Sequence, residues 1–189
     1  MRKYLIPLCA LGIITSMMSS ADDAQAKKRG SRGSAAASYE IEFRSRPTNW
    51  VGHSYVVARK RNGAGRTTMR KVAGFWPDPT IPRIMVPFGS RGVVEARGDG
   101  NHTTTKMFRV RVYRSTFERV VSKMNHIARR RPTYNPFDQN CNTFVAVVAR
   151  TAGVKAPRDY FQFPDSYVAQ MQTMNASKTS ARTRRSAQR

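Results

Sequence analysis

Alternation of apolar and polar positions marks the first half of the chain as β-structure. Tyr39-Glu40-Ile41-Glu42-Phe43 repeats with period two, and Gly52 to Ala58 is rich in β-forming residues, so both read as strands. Asn62-Gly63-Ala64-Gly65 supplies a turn, which makes Thr67 to Trp76 the return strand of a hairpin. Pro77, Pro79, Pro82 and Pro87 break the pattern that follows. A short strand is predicted over Gly92 to Arg97 and a longer one over Lys106 to Tyr113. In the longer one Phe108, Val110 and Val112 fall on one side, and Met107, Arg109, Arg111 and Tyr113 on the other, so one face is core and the other largely basic.

The period then changes. Ser115 and Glu118 stand at capping-box spacing and open a helix to about Arg129, with Phe117, Val120, Val121, Met124 and Ile127 as its apolar stripe. Arg131 to Gln139 contains Pro132 and Pro136 and reads as loop. The next helix runs from Asn140 or Cys141 to Ala152, stops at Gly153 and is followed by Pro157. A last short helix starts near Pro164 and carries Tyr167, Val168 and Met171. The order of elements, strands and then helices, predicts an α+β domain with a small antiparallel sheet packed against two or three helices.

Composition bounds where such a domain can work. The start of the chain has a charged n-region (Met1-Arg2-Lys3), an apolar stretch from Tyr4 to Met18 and a small-residue cleavage site at Ala24-Gln25-Ala26, the plan of a secretory signal peptide. The expected organisation is a signal peptide over 1–26, a basic linker over 27–38, a folded domain over 39–172 and a basic tail over 173–189, the linker and tail lacking the apolar content to fold. With 34 Lys+Arg against 11 Asp+Glu the net charge is +23, which favours anionic surfaces by steering and counterion release. An export leader directs that charge to an anionic envelope polymer, peptidoglycan or a phospholipid surface, and away from nucleic acid. The expected location is periplasmic or secreted.

Leader removal takes Cys9 with it and leaves one thiol, Cys141. A lone cysteine in an exported protein is reactive, an intermolecular partner or a small buried hydrophobe. Its position argues for reactivity: Asn140 can cap the helix while Cys141 stands at the first helical position, where backbone N–H groups and the helix dipole favour a thiolate. Apolar residues recur at Phe144, Val145, Val148 and Ala152, so the sulfur lies on the face directed at the sheet. His53, at the start of a strand, is the candidate base, whereas His102 and His126 fall in a turn-rich and a strongly basic setting. The helix N–H groups, with the side-chain amide of Asn140 or Gln139, are candidate oxyanion donors. Three dispersed histidines and one cysteine give no paired ligand spacing, so neither metal nor cofactor is expected.

Gly52-His53-Ser54-Tyr55-Val56-Val57, Gly74-Phe75-Trp76-Pro77 and Tyr134-Asn135-Pro136-Phe137-Asp138-Gln139-Asn140-Cys141-Asn142-Thr143-Phe144-Val145 together resemble the circularly permuted papain-like thiol hydrolases. That superfamily includes lecithin retinol acyltransferase-like enzymes and bacterial envelope amidases and peptidases. The resemblance covers about residues 50–157 and implies a permuted papain-like fold, with histidine first on a strand and cysteine later at a helix start. It also implies a third polar residue on the strand after the histidine, to orient the imidazole. Thr67 to Ala73 offers no His, Asn, Gln, Asp or Glu there, so Thr68, Thr67 or a backbone carbonyl must orient His53, or the site is weak or inactive. The expected function is an exported cysteine amidase or peptidase of the bacterial envelope. Its rivals are a non-catalytic envelope binding protein with the same fold and a lipid-directed thiol acyltransferase or phospholipase.

Overall fold

The structure of the protein, a computed structural model, describes residues 36–48, 51–82, 86 and 88–176. The expected signal peptide, most of the linker and residues 177–189 of the tail lie outside the described residues. Nine elements follow in chain order: β1 (Ser38–Arg46), β2 (His53–Arg61), β3 (Thr67–Pro77), β4 (Ser90–Glu95), β5 (Lys106–Val112), α1 (Arg114–Arg130), β6 (Thr133–Tyr134), α2 (Cys141–Thr151) and α3 (Pro164–Met174). The strands form one antiparallel sheet in the order β5-β1-β2-β3-β4-β6. Among the described residues this is an α+β architecture of six strands and three helices.

Period-two patterning divides the sheet into an apolar and a charged face. Ile41, Phe43, Val56, Ala58, Ala73, Phe75 and Phe108 point to one side, where residues of all three helices complete a single core. α1 contributes Phe117, Val120 and Met124, α2 contributes Phe144, Val145, Ala146, Val148 and Ala149, and α3 contributes Tyr167, Val168 and Met171. The opposite side carries Glu40, Glu42, Arg44 and Arg46 of β1 beside Arg59 and Arg61 of β2 and Arg109 and Arg111 of β5. Glu42 is fully buried there, within 2.5 Å of Arg44, 2.8 Å of Arg109 and 3.4 Å of Arg59. An ionised carboxylate tolerates such burial because the guanidiniums replace its water.

Three sequence expectations need revising. The segment 131–139 is not all loop: Thr133–Tyr134 pairs with β4 through Ser90↔Tyr134 and Arg91↔Thr133, sealing the far edge of the sheet. The capping box at Ser115 does not form. Tyr113 precedes α1 without a side-chain cap, and Glu118 instead accepts from Arg114 Nε at 2.7 Å, an i,i+4 pair. The fold also reaches beyond 39–172 at both ends. Ser38 begins β1, Thr173 and Met174 belong to α3, and the buried Asn175 accepts from Lys155 N and donates to the carbonyls of Lys155 and Met171.

Among the described residues, no helix is long and apolar enough to cross a membrane. Phe43 sits at the centre of the core, fully buried and stacked on Phe108 with ring centroids 6.1 Å apart. Truncation of this ring, Phe43→Ala, is expected to cost about 3–5 kcal/mol. The check is urea denaturation: the midpoint should fall while the slope stays constant.

Candidate active site

The start of α2 is built by one asparagine. Asn140 Oδ1 accepts from the backbone N–H of Asn142 at 2.9 Å and of Thr143 at 3.2 Å, and Thr143 Oγ1 accepts from the Asn140 N–H at 3.4 Å. Asn140 Nδ2 donates to the carbonyls of Pro136 and Tyr160 at 2.8 and 3.0 Å. The amide is thus fully used in holding the turn, and it has no donor left for an oxyanion. Gln139 is exposed and joins the fold through its backbone carbonyl, which accepts from Asn135 N at 2.9 Å. The Cys141 backbone N–H takes no protein acceptor among the described residues, which leaves it as the donor at this helix start.

The next residue attaches the helix to the sheet. Asn142 Oδ1 accepts from Ser54 Oγ at 2.8 Å, and its Nδ2 donates to the carbonyls of Tyr160 and Gln162 at 3.1 and 2.8 Å. This lock brings Cys141 against the beginning of β2, where His53 stands. Imidazole and thiol are adjacent and titrate against one another. Both residues are mostly enclosed, Cys141 keeping 8% of its surface exposed and His53 keeping 3%.

The carboxylate beside His53 was not foreseen. Asp99, in the turn between β4 and β5, is fully buried with Oδ2 3.4 Å from His53 Nε2 and Oδ1 accepting from Arg46 Nε at 2.8 Å. Thr68 plays no part: it lies at the exposed end of β3, and its hydroxyl donates to the Lys60 carbonyl at 3.3 Å. Two left-handed residues in succession, Arg97 (φ 33°) and Gly98 (φ 74°), turn the chain so that Asp99 enters the sheet face. On the other side of the imidazole lies Trp76, with ring centroids 3.5 Å apart and planes 22° from parallel. Arg46 and Arg97 cover the indole, their guanidinium carbons 5.2 and 5.5 Å from its centroid.

Space for the carboxylate and imidazole comes from a missing side chain. Gly74 lies opposite Tyr55 on β3, and a Cβ at that position would overlap His53 Nε2 and crowd Asp99 Oδ2. An isolated glycine within a strand pattern is the sequence mark of such a close approach. It was the one signal that pointed to this contact.

The charge state follows from opposing effects. Burial pushes the His53 pKa down, but the Asp99 carboxylate and the Cys141 sulfur raise it above the ordinary histidine value. Burial pushes the Cys141 thiol up, and the hydrogen bond and charge of His53, with the hydroxyl and backbone of Ser54, bring it below the ordinary thiol value. Thiolate and imidazolium are therefore stabilised as a pair, and their titration belongs to the pair as a whole. Tyr134 of β6 shows the same field: burial, and then the Cys141 charge, push its phenol up, so it stays protonated.

Family models, curated proteins and solved structures give no match to this chain. Gly74→Ala is expected to separate His53 from Asp99 while β2 and β3 remain paired, at an overpacking cost of about 1–3 kcal/mol. The measurement is the pH dependence of Cys141 alkylation, whose acidic limb should move toward that of an ordinary thiol.

Proposed function

We propose that the protein is an exported cysteine amidase or peptidase of permuted papain-like type, acting at the bacterial envelope, with Cys141 as nucleophile, His53 as acid and base, and Asp99 as the residue that positions His53. The observation that carries this reading is the arrangement of the Cys141 thiol at the capped start of α2, the His53 imidazole at the start of β2 and the buried Asp99 carboxylate 3.4 Å from that ring, and the downward shift of the thiol agrees with it. A buried structural cysteine would show the opposite shift, since burial alone raises a thiol.

The chemistry runs in two halves. The Cys141 thiolate attacks the amide carbon, the carbonyl π electrons move to oxygen, and the Cys141 backbone N–H donates to the resulting oxyanion. The imidazolium then protonates the leaving amine as the C–N bond breaks, leaving an acyl thioester and neutral His53. Water enters, gives one proton to His53 and adds to the thioester carbon. Collapse of this second intermediate expels thiolate, restores the ion pair and releases the carboxylic acid. Asp99, fixed by Arg46, sets its carboxylate 3.4 Å from His53 Nε2, where it favours the imidazolium over the neutral ring.

One observation favours a second reading, acyl transfer or hydrolysis on a lipid. Phe137 and Phe161 flank the start of α2, 61% and 68% exposed, with ring centroids 5.6 Å apart. An apolar rim beside the nucleophile suits an acyl chain as well as an apolar peptide side chain. Peptidoglycan and anionic phospholipid surfaces are the corresponding partners. Incubation with purified peptidoglycan and with phospholipid vesicles, followed by mass spectrometry, separates the two through released peptide or released fatty acid.

The nucleophile itself is tested by iodoacetamide. Wild-type Cys141 should react at pH 6 to 7, below the ~8.5 of an ordinary thiol. His53→Ala should slow that reaction by roughly two orders of magnitude at pH 6, the fall in thiolate fraction expected when the pKa returns to ordinary. Turnover should be bell-shaped in pH, rising as the thiolate forms and falling as the raised imidazolium loses the proton needed by the leaving group. Equal labelling of wild type and His53→Ala at pH 6 would overturn the assignment.

A further inference from the structure

The charged face of the sheet carries more cation than its own fold needs. Strands β3, β2, β1 and β5 are neighbours and present Arg70, Arg59, Arg61, Arg44, Arg109 and Arg111 on this side. Their internal counterions are Glu40 and Glu42, which are 4% and 0% exposed and are held by Arg61, Arg111, Arg44, Arg59 and Arg109. Six guanidiniums thus share two carboxylates. Asp99 and Glu95, further acids at this face, are already committed, Asp99 to Arg46 and His53 and Glu95 to Arg97.

The two glutamates work as pins. Each is buried beneath the arginines that pair with it, so the carboxylates hold the guanidiniums together on this face. Arg109 and Arg111 remain 39% and 73% exposed while paired with Glu42 and Glu40. The crowding is felt at Arg59: burial lowers its pKa, Glu42 opposes this, and Arg44, Arg70 and Arg109 lower it further. An external anion would relieve that repulsion.

Shape and chemistry narrow the anion. Four strands at about 4.8 Å spacing spread the guanidiniums over roughly 14 Å, wider than one small anion spans. Successive bases have no run of rings to stack on: Tyr55 is fully buried, Trp76 is stacked on His53 and covered by Arg46 and Arg97, and the exposed Tyr113, just past the end of β5, is a single ring. Bilayer insertion has no apolar anchor on these strands beyond Met107, which is 42% exposed and accepts from Arg109 Nη2. We infer that this face binds a linear chain of phosphate or phosphodiester groups that carries neither bases nor acyl tails, through the guanidiniums of β1, β2, β3 and β5. The inference stands whether or not Cys141 is catalytic.

The probe is long-chain inorganic polyphosphate, titrated onto the full chain at several salt concentrations. Arg109→Gln/Arg111→Gln should weaken binding roughly tenfold and flatten the dependence of log affinity on log salt by about one to two units. Arg111→Gln alone, at the more exposed site, should move both in the same direction by less. Arg129→Gln/Arg130→Gln, which removes the same charge from the exposed end of α1, should leave binding within about twofold, and Cys141→Ala should bind as wild type. Absence of polyphosphate binding at low salt, or equal losses in the two double variants, overturns the assignment. So does tighter binding of a thymidine oligonucleotide or of anionic phospholipid vesicles that Arg109→Gln/Arg111→Gln abolishes.

Discussion

One hydrogen-bonded junction decides where everything reactive lies: Ser54 of β2 donating to Asn142 of α2 at 2.8 Å across 88 residues of chain. Without it, the apolar face of α2 would hold the helix against β2 and β3 but would not set its position along them, because aliphatic contacts are non-directional. The Asn142 amide extends the junction to Tyr160 and Gln162, and Asn140 reaches Tyr160 as well. Three segments therefore meet at the first turn of α2. Cys141 is the residue between those two asparagines, and its place beside His53 is a consequence of their geometry.

Electrostatics at this junction depend on a balance that burial alone would reverse. In an enclosed site desolvation favours neutral thiol and neutral imidazole, and both residues here are nearly enclosed. Asp99 stands beside the imidazole, is itself held by Arg46, and opposes the desolvation that lowers the His53 pKa. Arg46, Asp99, His53 and Cys141 follow one another, so a protonated His53 has Asp99 on one side and, once the thiol ionises, the sulfur on the other. Low dielectric strengthens every link of such a series as much as it penalises an isolated charge.

Much of this was legible in the chain, and the reasons for the exceptions are physical. Period two located β1 and β5, β-forming composition located β2, the turn at Asn62-Gly63 located β3, and the helical stripe located α1, because burial on one face forces such patterns. Cys141 and His53 stood out for a similar reason, since a thiol at a helix start and a histidine at a strand start are positions that local sequence defines. Asp99 did not. It comes from a turn whose local pattern predicts only the turn, and it reaches His53 through the β4–β5 connection instead of the adjacent strand. Gly74 held the clue, as a glycine in a strand has to make room for something, but the sequence does not say for what. Asn140 was misread as an oxyanion donor because capping and catalysis ask for the same residue type. Only the partners of its two amide atoms distinguish them.

The two faces of the sheet complete the logic. The apolar face needs nothing beyond its own side chains, since three helices remove it from water. The charged face is stable only if its buried glutamates keep their arginines, because an unpaired carboxylate at the position of Glu42 would carry a desolvation cost of several kcal/mol. Retention of those arginines leaves the face with excess positive charge that no carboxylate on these strands cancels. His53 lies at the margin of this face, where β2 meets α2, so its imidazolium forms in a positive field that by itself disfavours it. Asp99 supplies a negative charge that offsets this field at His53, which the Thr68 hydroxyl, bonded to the Lys60 carbonyl at the exposed end of β3, does not.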